Sequence, residues 1–343
     1  MRQSRIKVIG IGNGGVNAVN HMLSKGSINN IDFIVANTDS QSLDGSPAQY
    51  KIQLGINTTK GLGTKLNPDM GRESAIESSS DIKEILRGAD IVLIIAGLGA
   101  GTGTGAMPIV AQIAKELNAL TVSIVTRPFI FEGRKRTQLT NQGIKEIKRE
   151  SNSIVEIPSR VLLAIPEKDI GGIKETFESL DDVLLQAVYS ISNIIISQEC
   201  KHTSFDTIGA KTILSDGGLA LIGIGYARGI NSASMAAKVA IESPLLDGIS
   251  ISEAMNVLVH IDIHPNYPLM EIDEAMNIIK QNAKKDANIV SERTLNNNMD
   301  IDEVRITIII TSFETIHESI TATTELKYRL EYINNKDYYP FLF

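Results

Sequence analysis

The stretch from Ala96 to Pro108, AGLGAGTGTGAMP, limits the fold of this chain more than any other feature. Five of its thirteen residues are glycine and two are threonine, and apolar runs precede and follow it. Glycine lets the backbone approach a ligand closely, and successive N–H groups can bind an anion. A simple surface turn would be shorter and less repetitive. The stretch therefore predicts a loop whose backbone approaches a phosphate.

Apolar strands alternate with helices through the first half of the chain. The predicted strands are RIKVIGIG, IDFIVANTD, DIVLIIAG and LTVSIVTRP. The predicted helices are GVNAVNHMLSKG, MGRESAIESSSDIKEILRGA, a segment starting near Thr104, and LTNQGIKEIKRE. Strands that are apolar throughout, each followed by a helix, are typical of a parallel sheet covered on both faces. We therefore predict an α/β domain over residues 1–177.

A long helix is predicted next, because apolar residues recur at helical spacing from Leu180 to Ile195. We expect it over about 178–201, within a central segment 178–204. A second α/β domain is predicted over 205–313. Its strands and helices are predicted from the stretches GGLALIGIGYARG, SASMAAKVAIES, AMNVLVHIDI, LMEIDEAMNIIKQNA, ANIVSER and VRITIIITSF. Residues 314–343 are predicted to form a short tail.

Composition excludes several classes of protein. The net charge of −7 argues against a generic nucleic-acid binder, which needs a basic surface. Cys200 is the single cysteine, so no intramolecular disulfide can form, which suits a reducing cytoplasm. We expect no secretion signal, because the apolar run in MRQSRIKVIGIGNGG is too short and too rich in glycine. We also expect no membrane-spanning segment and no structural zinc site, because the sequence has no run of 18 apolar residues and no Cys/His pairing.

The first predicted strand ends in GIGNGG, where Gly10, Gly12 and Gly15 form G-x-G-x-x-G before a helix. With Asp39 after the second strand, this spacing also fits a dinucleotide-binding fold, and hence a nicotinamide-dependent oxidoreductase. That interpretation depends on this loop alone. The second glycine-rich loop favours a polyphosphate instead, because two helix N-termini would converge on it, with Thr102 and Thr104 as hydroxyl donors. The P-loop pattern G-x-x-x-x-G-K-[ST] does not occur in the sequence.

These motifs resemble the tubulin/FtsZ family. GLGAGTGTGAMP is similar to the family signature G-G-G-T-G-[TS]-G. Further stretches resemble bacterial FtsZ sequences in the same order: GIGNGGVNAVNHM, ANTDSQSL, GLGTKLNPDMGRESAIES, TRPFIFEGRKR, DDVLLQAV, GLALIGIGYA and SPLLD. The resemblance covers roughly residues 4–313. It implies a Rossmann-like parallel-sheet GTP-binding domain, a long central helix, and a second α/β domain that activates the GTPase.

The resemblance also implies which residues bind the nucleotide. Around the phosphates the matching residues are Gly14, Gly15, Asn17, Gly99, Ala100, Gly101, Thr102, Gly103, Thr104 and Gly105. On the ribose side they are Thr126, Pro128, Glu132 and Arg136. Phe177 matches a ring that stacks on guanine, and Asp181 matches the acid that accepts hydrogen bonds from guanine N1 and N2. Asn37, Asp39 and Gln41 would surround the terminal phosphate and Mg²⁺ without a direct metal ligand being assigned.

Two departures from the family pattern lie near this site. Ser159 stands where the family has an asparagine that helps to hold guanine, so binding or base selectivity could be weaker. Lys65 stands where the family has a glycine close to the terminal phosphate. Its side chain would either add charge to the phosphate or block the usual path of the loop.

A third departure concerns catalysis. Family members carry Asn-x-Asp-x-x-Asp in a loop that enters the nucleotide site of the next subunit, where the acids position the attacking water. Here that stretch is HTSFDTIGAKTIL, so Ser204 replaces the asparagine, Asp206 is the first acid, and Gly209 replaces the second. Phosphoryl transfer depends on positioning, so the loss could slow hydrolysis on the order of 10²-fold or more.

The tail is the fourth departure. The family has a long linker before a short peptide resembling Asp-Ile-Pro-x-Phe-Leu. Here DYYPFLF, from Asp337 to Phe343, is similar to that peptide and almost no linker precedes it. Exposed aromatic residues are frequent anchors in the grooves of partner proteins, so a membrane adaptor or division protein would bind this peptide. Alternatively, the aromatic residues fold back onto their own domain.

We therefore expect a GTPase of the bacterial cell-division ring that binds GTP/GDP and Mg²⁺ and forms head-to-tail filaments. Its location would be cytoplasmic, at mid-cell, without direct membrane insertion and without a nucleic-acid partner. The alternative is a catalytically poor paralogue that serves as a GTP-binding structural or regulatory scaffold.

Overall fold

The structure, a computed structural model, describes residues 4–26, 31–158, 173–196, 207–215 and 218–313. Contacts within the chain divide it into two compact units. The first unit holds the described residues up to 158 together with Leu180–Val188 and the described part of Leu214–Leu219; the other described residues belong to the second. The predicted domain boundaries near residues 177, 204 and 313 stay predictions.

A parallel sheet forms the centre of the first unit. Its described strands are β1 (Ile6–Ile11), β2 (Ile31–Asn37), β3 (Tyr50–Gln53), β4 (Ile91–Gly97), β5 (Leu120–Thr126) and β6 (Ser153–Ile157). They lie in the order β3-β2-β1-β4-β5-β6, and each neighbouring pair is parallel. The central strand β4 is buried from Ile91 to Ala96, which is why its sequence is a continuous apolar run. The predicted parallel α/β sheet is confirmed.

Helices cover this sheet, and three of their predicted bounds were wrong. The helices are α1 (Gly12–Ser24), α2 (Ser40–Asp44), α3 (Ile56–Thr59), α4 (Pro68–Glu77), α5 (Ser79–Leu86), α6 (Gly101–Glu116) and α7 (Arg134–Glu150). The single helix predicted through MGRESAIESSSDIKEILRGA is divided at Ser78, whose hydroxyl accepts a hydrogen bond from Gly55 N–H. Helix α6 begins at Gly101 and not near Thr104, and α7 begins before the predicted LTNQ segment.

The long helix α8 spans Ile173–Ile196 and so begins earlier than predicted. Its buried apolar residues are Leu180, Val183, Leu184, Ala187, Val188, Ile191, Ile194 and Ile195, which is the set that the helical spacing predicts. Among the described helices, α8 alone meets the length and hydropathy that a membrane span requires, over Phe177–Ile196. Because 56% of that window is buried and core helices of soluble proteins meet the same requirement, this is weak evidence for a span.

The second unit is built on a mixed sheet. Its strands are β7 (Gly218–Arg228), β8 (Ala254–Ile263), β9 (Asn288–Leu295) and β10 (Glu303–Phe313), and the helices of this half are α9 (Thr207–Ser215), α10 (Ser232–Ile241) and α11 (Leu269–Asn282). Strand β10 runs antiparallel to both β7 and β8, while β8 and β9 are parallel. The predicted elements of the second α/β unit are therefore present.

A buried polar cluster lies inside the second unit. Asp262 on β8 pairs across the strands with Arg305 on β10, and Arg305 Nη1 lies 3.6 Å from Asp262 Oδ2. The Tyr189 hydroxyl on α8 is 3.5 Å from Asp262 Oδ1. Burial raises the pKa of Asp262 to about 6, and the Arg305 charge only partly opposes this rise. Burial lowers the pKa of His260 to about 3, so this side chain is neutral at physiological pH.

We predict that Asp262 makes the protein less stable as the pH rises. The folded state holds the Asp262 proton more tightly than the unfolded chain, so its contribution is complete below about pH 4 and is lost as the pH passes 6. A shift of about two pKa units corresponds to roughly 3 kcal/mol. Calorimetry of Asp262→Asn should therefore show a melting temperature that rises, relative to the unaltered protein, between pH 4.5 and pH 7.5.

The matched control is Asp273→Asn on the exposed face of α11. Its melting temperature should differ from that of the unaltered protein by the same small amount at both pH values. A pH-independent difference for Asp262→Asn would contradict the assignment of this slope to Asp262.

Candidate functional site

Two helix N-termini meet at the centre of the first unit's sheet. Strands β1 and β4 are neighbours, β1 leads directly into α1, and β4 leads into α6. The strand order reverses between β1 and β4, because β2 and β3 continue on one side and β5 and β6 on the other. In open parallel sheets, ligands bind at this switch point beyond the carboxyl ends of the strands.

The backbones of the two glycine-rich stretches touch here. Gly12 opens α1 with φ +69°, and a Cβ atom on it would lie 3.1 Å from the Gly103 nitrogen. A Cβ atom on Gly14 would lie 3.2 Å from the Gly97 nitrogen. The N-cap residues, Ile11 and Ala100, make no side-chain capping hydrogen bond. The first N–H groups of both helices are therefore available to an anion placed between them.

The glycines of GAGTGTG also allow close helix packing. Side chains on Gly101 and Gly105 would collide with Thr64 Oγ1 and with the carbonyl oxygen of Pro68, and a side chain on Gly71 of α4 would collide with the Gly101 carbonyl oxygen. Helices α4 and α6 thus meet backbone to backbone. The stretch predicted as a loop is the first turn of a packed helix for this reason.

The threonine hydroxyls of this turn are bonded inside the protein. Thr102 Oγ1 lies 2.7 Å from Thr38 Oγ1 and 3.3 Å from Thr64 Oγ1, and all three residues are buried. Thr104 Oγ1 accepts a hydrogen bond of 2.9 Å from Gly99 N–H. These bonds fix the loops around the α6 N-terminus. Thr104 accepts in its bond and keeps its own hydroxyl hydrogen, so the predicted donation to phosphate stays a prediction.

Residues 60–67 form a loop beside this terminus, hydrogen-bonded to the segment that follows β2. Gly63 N–H donates to the Thr38 carbonyl, and Ser40 N–H donates to the Gly61 carbonyl, each over 3.2 Å. Lys65 lies on this loop, is exposed, and has φ +49°, a left-handed conformation that glycine adopts more readily. The lysine is therefore accommodated with backbone strain at the position that the family pattern gives to glycine.

The polar residues after β2 divide into structural and exposed groups. Asn37 is buried and its Nδ2 donates to Asn13 Oδ1 on α1 over 2.7 Å. Asp39 caps α2 by accepting from Gln41 N–H over 3.1 Å. The Gln41 side chain is exposed. Asn37, Asp39 and the α1 N-terminus are thus held near one another at the carboxyl end of β2.

Residues after β5 line the same end of the sheet. Thr126 ends β5 and is buried, and Pro128 follows it half-buried. Glu132 accepts hydrogen bonds from Phe129 N–H and from the Arg136 guanidinium. Gly99, with φ +90°, allows the segment after β4 to approach Arg136, since an added Cβ atom would lie 2.8 Å from the Arg136 carbonyl oxygen. The Glu132–Arg136 pair is thereby placed next to the second glycine-rich segment.

The remaining predicted residues lie on α8, on α9 or outside the described residues. Phe177 on α8 is 43% exposed, and Asp181 is half-buried on the same helix. Gly14 and Asn17 on α1 are exposed, and Gly15 is buried. Gly209 falls within α9. Ser159, Asp206 and the tail Asp337–Phe343 lie outside the described residues, so their predicted roles stay predictions.

Four further residues belong to the site's framework. They are Asn13, His21, Thr38 and Thr64. Each makes a hydrogen bond to a residue far away in the sequence, so local spacing gave no reason to select them. Among the described residues, no group of three or more His, Cys, Asp or Glu side chains could hold a metal ion.

Comparisons with known proteins agree with this geometry. Residues 5–166 match the family model "Tubulin/FtsZ family, GTPase domain", and residues 218–314 match "FtsZ family, C-terminal domain". The cell division protein FtsZ of Pseudomonas aeruginosa is 43% identical over 306 residues, covering 89% of this chain and 76% of that protein. Its counterpart from Azotobacter vinelandii is 43% identical over 310 residues, covering 90% and 77%.

A solved structure is also similar over nearly the whole length of the chain. The empty FtsZ dimer of M. jannaschii matches with a TM-score of 0.84 and 31% identity, covering 94% of this chain and 95% of that one. The switch-point geometry, both family models and the identity to these relatives agree. The chain belongs to the Tubulin/FtsZ family and, within it, to the FtsZ proteins, the GTPases of the cell-division cytoskeleton.

Proposed function

We propose that the protein binds GTP between the first turns of α1 and α6, polymerises head to tail in a cell-division filament, and hydrolyses the nucleotide slowly at the contact between subunits. The observation that carries the nucleotide site is the meeting of two uncapped helix N-termini at the β1–β4 switch point. The phosphates take the N–H groups of Gly14 and Gly15 on one side and of Gly101 to Gly105 on the other.

The rest of the nucleotide extends from this anion site. Glu132 and Arg136 bind on the ribose side, where their mutual ion pair already fixes both side chains. Asp181 accepts from guanine N1 and N2, Phe177 stacks on the base, and Ser159 stands in for a base-holding amide. An ordered Glu132–Arg136 pair supports this assignment because less side-chain entropy is lost on binding.

Mg²⁺ would sit at the terminal phosphate end, near Asn37 and Asp39. Mg²⁺ commonly keeps several waters and takes one or two carboxylates with phosphate oxygens. A single Asp39 beside amide oxygens fits that habit better than a dedicated cage of acids would. The exposed Lys65 adds positive charge at the same end.

Hydrolysis would depend on the stretch from Ser204 to Gly209 of the next subunit. The resemblance to the family leaves Asp206 as the remaining acid and gives Gly209 in place of the other. A pocket at one end of the molecule and a catalytic loop from the next form a heterologous contact, which continues as a filament. Self-association is therefore part of the catalytic cycle. The site of action would be the cytoplasm, at the mid-cell division ring.

Gly12→Ala should weaken nucleotide binding at least tenfold. The substitution adds a Cβ atom in a left-handed conformation and 3.1 Å from the Gly103 nitrogen, so the two N-termini must separate. Titration of GDP by calorimetry measures the effect. Gly26→Ala is the matched control, because Gly26 has φ +113° but no atom within 4 Å of an added Cβ. Equal GDP affinities for the two variants would contradict the proposed site.

Gly209→Asp should raise GTP turnover about tenfold or more while leaving GDP affinity of the monomer unchanged, because it restores a water-positioning acid. Phosphate release is followed during sedimentation with GTP, GDP and a slowly hydrolysed analogue. Gly209→Asn controls for side-chain volume without the charge and should remain slow. An unaltered rate in Gly209→Asp would contradict the assigned role of this position.

Removal of residues 335–343 should spare polymerisation and abolish binding of a membrane adaptor. The reason is that the aromatic residues of DYYPFLF would supply the anchors for the adaptor groove. GTP-dependent sedimentation of the shortened chain, with and without the adaptor, measures both properties. Retained adaptor binding would show that the contact lies elsewhere.

A further inference from the structure

A hydrogen bond from His21 and a longer ion pair from Lys25 join α1 to Asp182 on α8 within the first unit. His21 Nε2 lies 2.7 Å from Asp182 Oδ1, and Lys25 Nζ lies 3.7 Å from the same oxygen. The carboxylate can only accept, so Nε2 carries the hydrogen in this pair. The His21 side chain is largely buried, whereas Lys25 is exposed. The short hydrogen bond from His21, and not the long contact with Lys25, therefore sets the orientation of the Asp182 carboxylate.

The position of this pair on α1 makes it necessary. His21 is in the last turn of α1 and Lys25 is its C-cap residue, so Asp182 approaches the negative end of the helix dipole. A carboxylate there is repelled unless a donor or cation faces it. The opposite end of the same helix, roughly 20 Å away, is the anion site between α1 and α6. One helix thus joins the phosphate end of the site to α8.

Asp182 follows Asp181, the residue proposed to read guanine. Two adjacent carboxylates on one helix repel each other, and their side chains point about 100° apart. Lys25 offsets part of the Asp182 charge, and the hydrogen bond from His21 holds Asp182 against α1. The contact of Asp182 with α1 fixes the rotation of α8 about its axis at Asp181. It also keeps the Asp182 carboxylate from binding the base in place of Asp181.

We propose that His21 is a positioning residue for base recognition: its bond to Asp182 sets the orientation of Asp181 toward the amino group of guanine. The inference rests on the proposed nucleotide site. It predicts that loss of the His21 bond lowers the preference for guanine over hypoxanthine, which lacks the 2-amino group, while contacts to the phosphates are kept.

The test compares GDP with inosine diphosphate by calorimetric titration of the full chain. His21→Phe keeps a ring of similar volume without the hydrogen bond, and it should reduce GDP affinity about tenfold, the order expected for a lost bond to a charged group. The affinity for inosine diphosphate should change less than threefold, so the ratio of the two affinities should fall. His21→Gln retains a donor near the Nε2 position and should restore most of the ratio.

Lys25→Ala is the control for charge alone, because its contact is long and exposed, and the GDP-to-inosine ratio should stay within about twofold. Melting temperatures distinguish a local loss of positioning from a general loss of stability. General destabilisation would lower the affinities for both nucleotides equally. An unchanged ratio in a folded His21→Phe protein overturns the inference. If His21→Phe does not fold, the ratio of GDP affinity to inosine diphosphate affinity is measured in His21→Gln instead. A fall in that ratio as large as the fall in Asp181→Ala overturns the inference. Failure of the unaltered protein to bind GDP would instead refute the proposed function.

Discussion

The close contact of the first turns of α1 and α6 is the constraint on which the rest of the first unit depends. Strands β1 and β4 are hydrogen-bonded neighbours, so the helices that follow them start side by side. A Cβ atom on Gly12 would already press on the Gly103 nitrogen, so the glycines there are a steric requirement of the sheet topology. The same closeness places the N-termini of both helices, neither with a side-chain cap, beside one another. The proposed anion site is therefore a consequence of the strand order of the sheet.

Much of the fold could be predicted from the sequence, because its strands are buried on both faces and appear as continuous apolar runs. The beginning of α6 could not. Glycine disfavours helix, and GTGTG looks like a loop by intrinsic propensity. Its glycines are helical because neighbouring backbones occupy the space of their side chains, which only the packed structure determines. The break at Ser78 has a similar cause, since the competing hydrogen bond comes from Gly55.

The candidate site shows the same division between local and distant information. Spacing alone selected the two glycine-rich segments that the structure brings together, and the resemblance supplied the predicted ribose and base positions. It did not identify the threonine cluster of Thr38, Thr64 and Thr102, whose members come from three separate segments. Nor did it identify His21, whose partner lies 161 residues away. The role of a hydroxyl or imidazole group depends on its hydrogen-bond partner in the folded protein. Sequence spacing does not show which distant residue that partner is.

In the proposed function, binding and hydrolysis place different demands on this chain. A larger residue at Gly12 or Gly103 would force backbones apart in the middle of the sheet, so the nucleotide cradle tolerates little change. Position 209 lies in α9, more than 100 residues further along the chain than Gly103. If it has the proposed catalytic role, a change from acid to glycine there removes a charge without altering the glycines that pack the first turns of α1 and α6. The rate of hydrolysis would then be free to vary while the fold and the nucleotide affinity stay fixed.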